Sequence, residues 1–97
     1  MPAVGRKGDN CTGHGCWPSR PAVSGSPNVT INNIPALRVD DAYAAHTCPA
    51  IPETHDGNQA QGSSSVTVNA KALSRVGDNV SCGGALAEGS PNVTSGD

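Results

Sequence analysis

The segment "GSPNVTINNIPALRVDD" (25–41) returns without a gap as "GSSSVTVNAKALSRVGD" (62–78). The two copies share Gly25/Gly62, Ser26/Ser63, Val29/Val66, Thr30/Thr67, Asn32/Asn69, Arg38/Arg75, Val39/Val76 and Asp41/Asp78. A third copy opens as "GSPNVT" (89–94) and breaks off at Asp97. Its second half stands at the other terminus, where "PAVGRKGD" (2–9) matches "PALRVDD" (35–41) if one residue is inserted. That alignment pairs Arg6 with Arg38 and Asp9 with Asp41, puts Asp97 at the place of Asn33, and puts Met1 at the place of Ile34. A repeat in register three times reads as a circle of three units cut inside one of them.

Each unit has the pattern of a β-hairpin. In "NVTIN", Val29 and Ile31 alternate with polar neighbours, the period of a half-buried strand. Asn32-Asn33 supplies a turn, because Asn tolerates positive φ. "IPALRV" returns with Pro35 near its start, where a missing N–H costs least. Twelve Gly and eight Pro also favour short strands and turns over helices. The expectation is a single all-β domain (1–97): three β-hairpin repeats with pseudo-threefold symmetry, the third split between the termini.

Such a body has little to bury. Only 35% of the residues are hydrophobic, with no Phe, one Trp, one Tyr and one Met. A domain of this size buries about 60–65% of its unfolded surface. A disulfide, a metal or a partner is the usual supplement to so thin a core. The formal charge of −2 leaves no basic patch for nucleic acid. No apolar run reaches the roughly 18 residues of a membrane span. "MPAVGRKGDN" lacks the apolar stretch of a secretory signal, so synthesis in the cytoplasm is expected. Disulfides rarely persist there, so the four cysteines favour metal ligation or unreacted thiols.

All three histidines and all four cysteines fall in the connecting segments 10–24, 42–61 and 79–88. His14 and His46 each stand five residues after an aspartate of the repeat, Asp9 and Asp41, and Cys82 stands four after Asp78. Threefold symmetry brings those three places to one end of the molecule, and His55 in "PETHDG" can supply a fourth ligand. Three imidazoles and one thiolate suit tetrahedral Zn²⁺. The other cysteines, Cys11, Cys16 and Cys48, lack counterparts in the repeat and read as small packed thiols, with a Cys11–Cys16 disulfide or a ligand exchange with Cys48 as alternatives. Glu53, two residues before His55, offers a second reading as general base of a small zinc hydrolase. Arg6, Arg38 and Arg75 beside Asp9, Asp41 and Asp78 read as ion pairs supporting each turn. Trp17 is expected to pack beneath the metal loops.

"PAVGRKGD", "PALRVDD" and "KALSRVGD" are variants of a Pro-Ala-Ala-Arg motif. With the "GSPNV" segments and "GDNCTGHGC", the chain resembles the PAAR-repeat family over essentially its whole length. The resemblance implies a short cone with a structural zinc near its apex, held here by His14, His46, His55 and Cys82. It implies a wide base seated on a trimeric β-helical spike, of the VgrG type in type VI secretion or the central spike of a contractile phage tail. One cap per trimer would sharpen the spike, and the tip would pierce a membrane without catalysing a reaction. Relatives with effector extensions continue past the third repeat, and none is expected here.

Overall fold

The computed structural model describes residues 1–50 and 53–96. Strands β1 (Thr30–Ile31) and β2 (Ile34–Pro35) form the first hairpin. Strands β3 (Ala42–Cys48) and β4 (Glu53–Asn58) form a longer one, and β5 (Thr67–Val68) and β6 (Lys71–Ala72) repeat the first. All three pairs are antiparallel. The third repeat closes through the termini, where Ala3 bridges Thr94. Among the described residues no helix is long and apolar enough to cross a membrane.

The all-β, pseudo-threefold expectation holds, with two corrections. The segment 42–61, taken above for a connecting loop, is mostly the β3–β4 hairpin. The terminal repeat also aligns one residue differently. Ala3↔Thr94 matches Thr30↔Pro35 and Thr67↔Ala72, so Ala3 rather than Pro2 takes the place of Pro35, and Pro2 rather than Met1 takes that of Ile34. No insertion is needed within 2–9. The length difference falls at the hairpin turn, which is where a chain break is tolerated. The expected match of Asp97 with Asn33 lies outside the described residues.

The turns follow from sequence. Asn32 and Asn33 have φ of 55° and 64°, as a two-residue hairpin turn requires. A second kind of turn ends each repeat: the Asp N–H donates to the Arg carbonyl at 3.0 Å in Arg6–Asp9, Arg38–Asp41 and Arg75–Asp78 alike. In each, the Arg N–H donates to Asp Oδ2, and the guanidinium grips the same carboxylate through Nε and Nη2. Burial pushes the Asp41 carboxyl up, but the Arg38 and Ser24 hydrogen bonds and the Arg38 charge hold it below its ordinary value. The side-chain hydrogen bond to Asp9 raises Arg6, and the one to Asp41 raises Arg38. The expected ion pairs are present in all three units.

The third residue of this turn has positive φ, 95° at Gly8, 96° at Gly77 and 80° at Asp40. An L-residue there costs roughly 1–2 kcal/mol over glycine, less for Asp than for bulkier residues. Asp40→Gly is therefore expected to stabilise the fold by about 0.5–1 kcal/mol. The check is a melting temperature higher by a few degrees.

The three repeats meet in a closed ring of backbone hydrogen bonds. Gly5 N–H donates to Ser74 O, Ser74 N–H to Leu37 O and Leu37 N–H to Gly5 O, each at 3.0 Å. Beneath the ring, Val4, Ile31, Ala36, Val68 and Leu73 form one buried cluster. Above it, Cys11, Ala22, Leu37, Tyr43, Val80 and Leu86 form another, with Cys82 packed on its margin. Equivalent places carry side chains of unequal size. Tyr43 bridges Ala22, Cys11 bridges Leu86, and Val80 bridges Gln59. Gln59 is fully buried and satisfied, accepting from the Tyr43 hydroxyl at 2.6 Å and donating to Gln61 O at 2.9 Å. Burial, reinforced by the nearby thiols and carboxylates, keeps that hydroxyl protonated far above its ordinary pKa.

Candidate metal centre

Three loops leave the upper cluster and bring their polar groups together. The first makes a tight turn in which His14 and Trp17 exchange backbone hydrogen bonds at 3.0 and 2.9 Å. The second is the β3–β4 hairpin, where His46 lies directly opposite His55. The third turns at Val80–Gly83 and carries Cys82.

An irregularity in β3 makes the second loop possible. Side chains alternate across a strand, so Tyr43 and His46, three apart, belong on opposite faces. The register slips between them: Tyr43 pairs with Gly57, yet His46 pairs with His55, leaving one extra residue on β3. This bulge turns the later half of the strand over. Tyr43 then points into the core while His46 and Cys48, both buried, also face inward.

His14, His46, His55 and Cys82 converge with their ligand atoms all within 4.8 Å of one another. His55 Nε2 lies 2.7 Å from His46 Nε2 and 3.0 Å from His14 Nε2. His46 Nδ1 stands 2.7 Å from the Pro18 carbonyl, which can only accept. That contact places a proton on Nδ1 and leaves the inward Nε2 as a lone-pair donor, the usual arrangement behind a metal-binding histidine. Burial, then the proximity of His46 and His55, holds His14 below the ordinary imidazole pKa, which favours the neutral ring that a metal ligand needs. The four residues singled out in the sequence are thus the four that the fold gathers. Nitrogen and thiolate donors of this kind fit one tetrahedral divalent ion.

Other residues shape the centre. Trp17 stacks on the rings rather than lying beneath the loops: its ring is 5.0 Å from His14 with planes 24° apart, and 4.8 Å from His55. Its Nε1–H donates to the Glu53 carbonyl at 3.1 Å, tying the first loop to β4. Gly57 is needed for space, since a Cβ there would stand 3.1 Å from Cys82 Sγ. Gly57 lies inside β4, and nothing in the sequence marks that requirement. Glu53 is exposed and stands outside the converging group.

The cysteines correct the sequence reading. Cys16 is joined to Cys48 by a disulfide with Cα atoms 5.1 Å apart. The bystander reading of these two fails, as does the Cys11–Cys16 alternative. Chain separation of 32 residues concealed the pair, because only the fold of the first loop over the end of β3 brings them together. Cys11 is a free, buried thiol, as expected. It does have positional counterparts, Tyr43 and Val80, in the upper core.

Among the described residues, a helix-free, pseudo-threefold body gathers a His₃Cys group that could hold a metal ion. The PAAR motif family matches residues 12–88, and the chain belongs to that family. PAAR-motif proteins are structural tips that cap spike-type partners in secretion and phage machinery. No curated protein matches the chain.

Proposed function

We propose that this chain caps a trimeric β-helical spike of a contractile injection machine, one cap per trimer, with an apex stiffened by one zinc ion. The observation that carries this reading is the ring of Gly5, Leu37 and Ser74, which gives one polypeptide the symmetry of a trimer. A spike made of three chains ends in three equivalent strand edges, and exposed edges invite unwanted pairing. A pseudo-threefold cap can cover all three at once. The hairpin repeats supply a matching set of partly exposed apolar side chains, Val29, Val66 and Val93. The extents of 38 × 24 × 22 Å, one long axis and two nearly equal short ones, suit a tip.

His14, His46, His55 and Cys82 are the residues that would hold the ion. Zinc bound there supplies a cross-link among three loops, and a shell filled by four protein donors leaves no position for a substrate. No catalytic step is assigned, and nothing in the geometry favours Glu53 as a base. Synthesis in the bacterial cytoplasm and delivery at the tip of the machine complete the proposal.

Mixing the zinc-loaded chain with purified VgrG-type and phage central-spike trimers tests it. One cap is expected to co-elute per trimer with a cognate spike. The triple variant Val29→Asp, Val66→Asp, Val93→Asp is expected to lose at least tenfold in affinity while keeping its metal. Failure to bind any such trimer, or unchanged binding by the triple variant, overturns the docking assignment.

A further inference from the structure

The disulfide sits where it can act on the metal centre. Cys16 lies two residues after His14, and Cys48 two residues after His46. The bond therefore clamps the first loop onto the end of β3, close to a ligand on either side. Between the two cysteines the same loop carries Trp17, stacked on His14, and Pro18, whose carbonyl orients His46. That loop also meets β4, through the Trp17–Glu53 hydrogen bond and the ring contacts of His14 and Trp17 with His55. The two residues differ in exposure: Cys16 is exposed, whereas Cys48 is fully buried. A soluble thiol or phosphine can reach the pair from the Cys16 side without unfolding the domain.

We infer that Cys16–Cys48 is a reversible clasp on the metal centre, closed in an oxidising compartment and open in a reducing one. This inference rests on the metal reading proposed above. Closed, the clasp holds the Pro18 carbonyl against His46 and the His14 ring against His55, so the ion leaves slowly. Open, the first loop keeps its hydrogen bonds and ring contacts but loses its covalent tie to β3, and the ion exchanges faster. Closure transfers two electrons and two protons from the Cys16 and Cys48 thiols to a small-molecule disulfide, which departs as two thiols. Opening reverses this: a thiolate attacks Cys16 Sγ, Cys48 leaves as thiolate and takes up a proton, and a second thiol resolves the mixed disulfide. Reducing compartments keep such pairs open and oxidising ones keep them closed.

The test uses the full chain loaded with zinc. It is oxidised with glutathione disulfide or reduced with a water-soluble phosphine, which hydrolyses to its oxide as it frees both thiols. Transfer of zinc to a chromophoric chelator is followed together with Trp17 fluorescence. Transfer is expected to be at least tenfold faster from the reduced chain. Cys16→Ser and Cys48→Ser chains should transfer at the reduced rate whether or not phosphine is present. Cys16 is exposed, so Cys16→Ser leaves the core intact and serves if Cys48→Ser folds poorly. Stoichiometric zinc with equal rates in both redox states overturns the clasp alone. Four free thiols after oxidation do the same. A folded, oxidised chain that holds no zinc overturns the metal reading and the clasp with it.

Discussion

Replacing His46 by alanine is expected to empty the metal centre and lower the melting temperature by roughly 15 °C or more. Structural zinc contributes about 10–16 kcal/mol of apparent binding free energy in small peptide sites at neutral pH. If a third of that reaches the stability of this domain, the loss is about 3–5 kcal/mol. At roughly 4–8 °C per kcal/mol for a chain of this size, the shift is large. His46 is the buried ligand candidate, held by Pro18 behind and opposed to His55 across the hairpin. A chelator added to the unaltered chain should produce the same fall, and metal analysis should find about one ion before treatment and none after. Cys11→Ala is the control: that thiol packs in the core and is not one of the four converging side chains, so the ion should remain. Unchanged melting in His46→Ala overturns the structural role of the site.

The second large effect is expected on the pseudo-threefold axis. The three residues of the backbone ring are Gly5, Leu37 and Ser74, and their sizes differ because there is room for only one large side chain. A Cβ on Gly5 would press on Ser74 Oγ and lie 2.5 Å from Leu86 Cδ2. Those neighbours cannot retreat easily, since Ser74 Oγ–H donates to the Leu37 carbonyl at 2.8 Å and Leu86 is packed in the upper cluster. Overpacking a tight core costs about 1–3 kcal/mol, and more where backbone must shift. Gly5→Val is expected at or above the top of that range, lowering the melting temperature by roughly 10 °C or more. The measurement is calorimetry on zinc-loaded chains, so that loss of metal is not confused with strain. A shift within a degree or two would show that the ring tolerates symmetric side chains.

This axis also explains why one chain carries three unequal repeats. Three identical subunits would put three identical side chains at each level, so one level could not hold Leu, Ser and Gly together. A fused chain fills the axis with one of each, and the level above with Tyr43, Cys11 and Val80 against Ala22, Leu86 and Gln59.

The sequence by itself determined the repeat, the hairpin turns at Asn32-Asn33, the three Arg–Asp turns and the four convergent donors. Each of these is a local pattern recurring along the chain: a turn residue acts on its own backbone, and an aspartate three residues from an arginine needs no distant partner. Even the convergence of His14, His46, His55 and Cys82 was legible, because position relative to the repeat stood in for position in space. Tertiary structure alone decided what breaks the repeat. The bulge that turns His46 inward, the space Gly57 leaves for Cys82, the one-residue shift at the termini and the Cys16–Cys48 bond all arise between segments that are not equivalent. Symmetry predicts contacts among like positions. Contacts between unlike positions depend on how far each unequal loop reaches over the others, which is settled only when the chain packs.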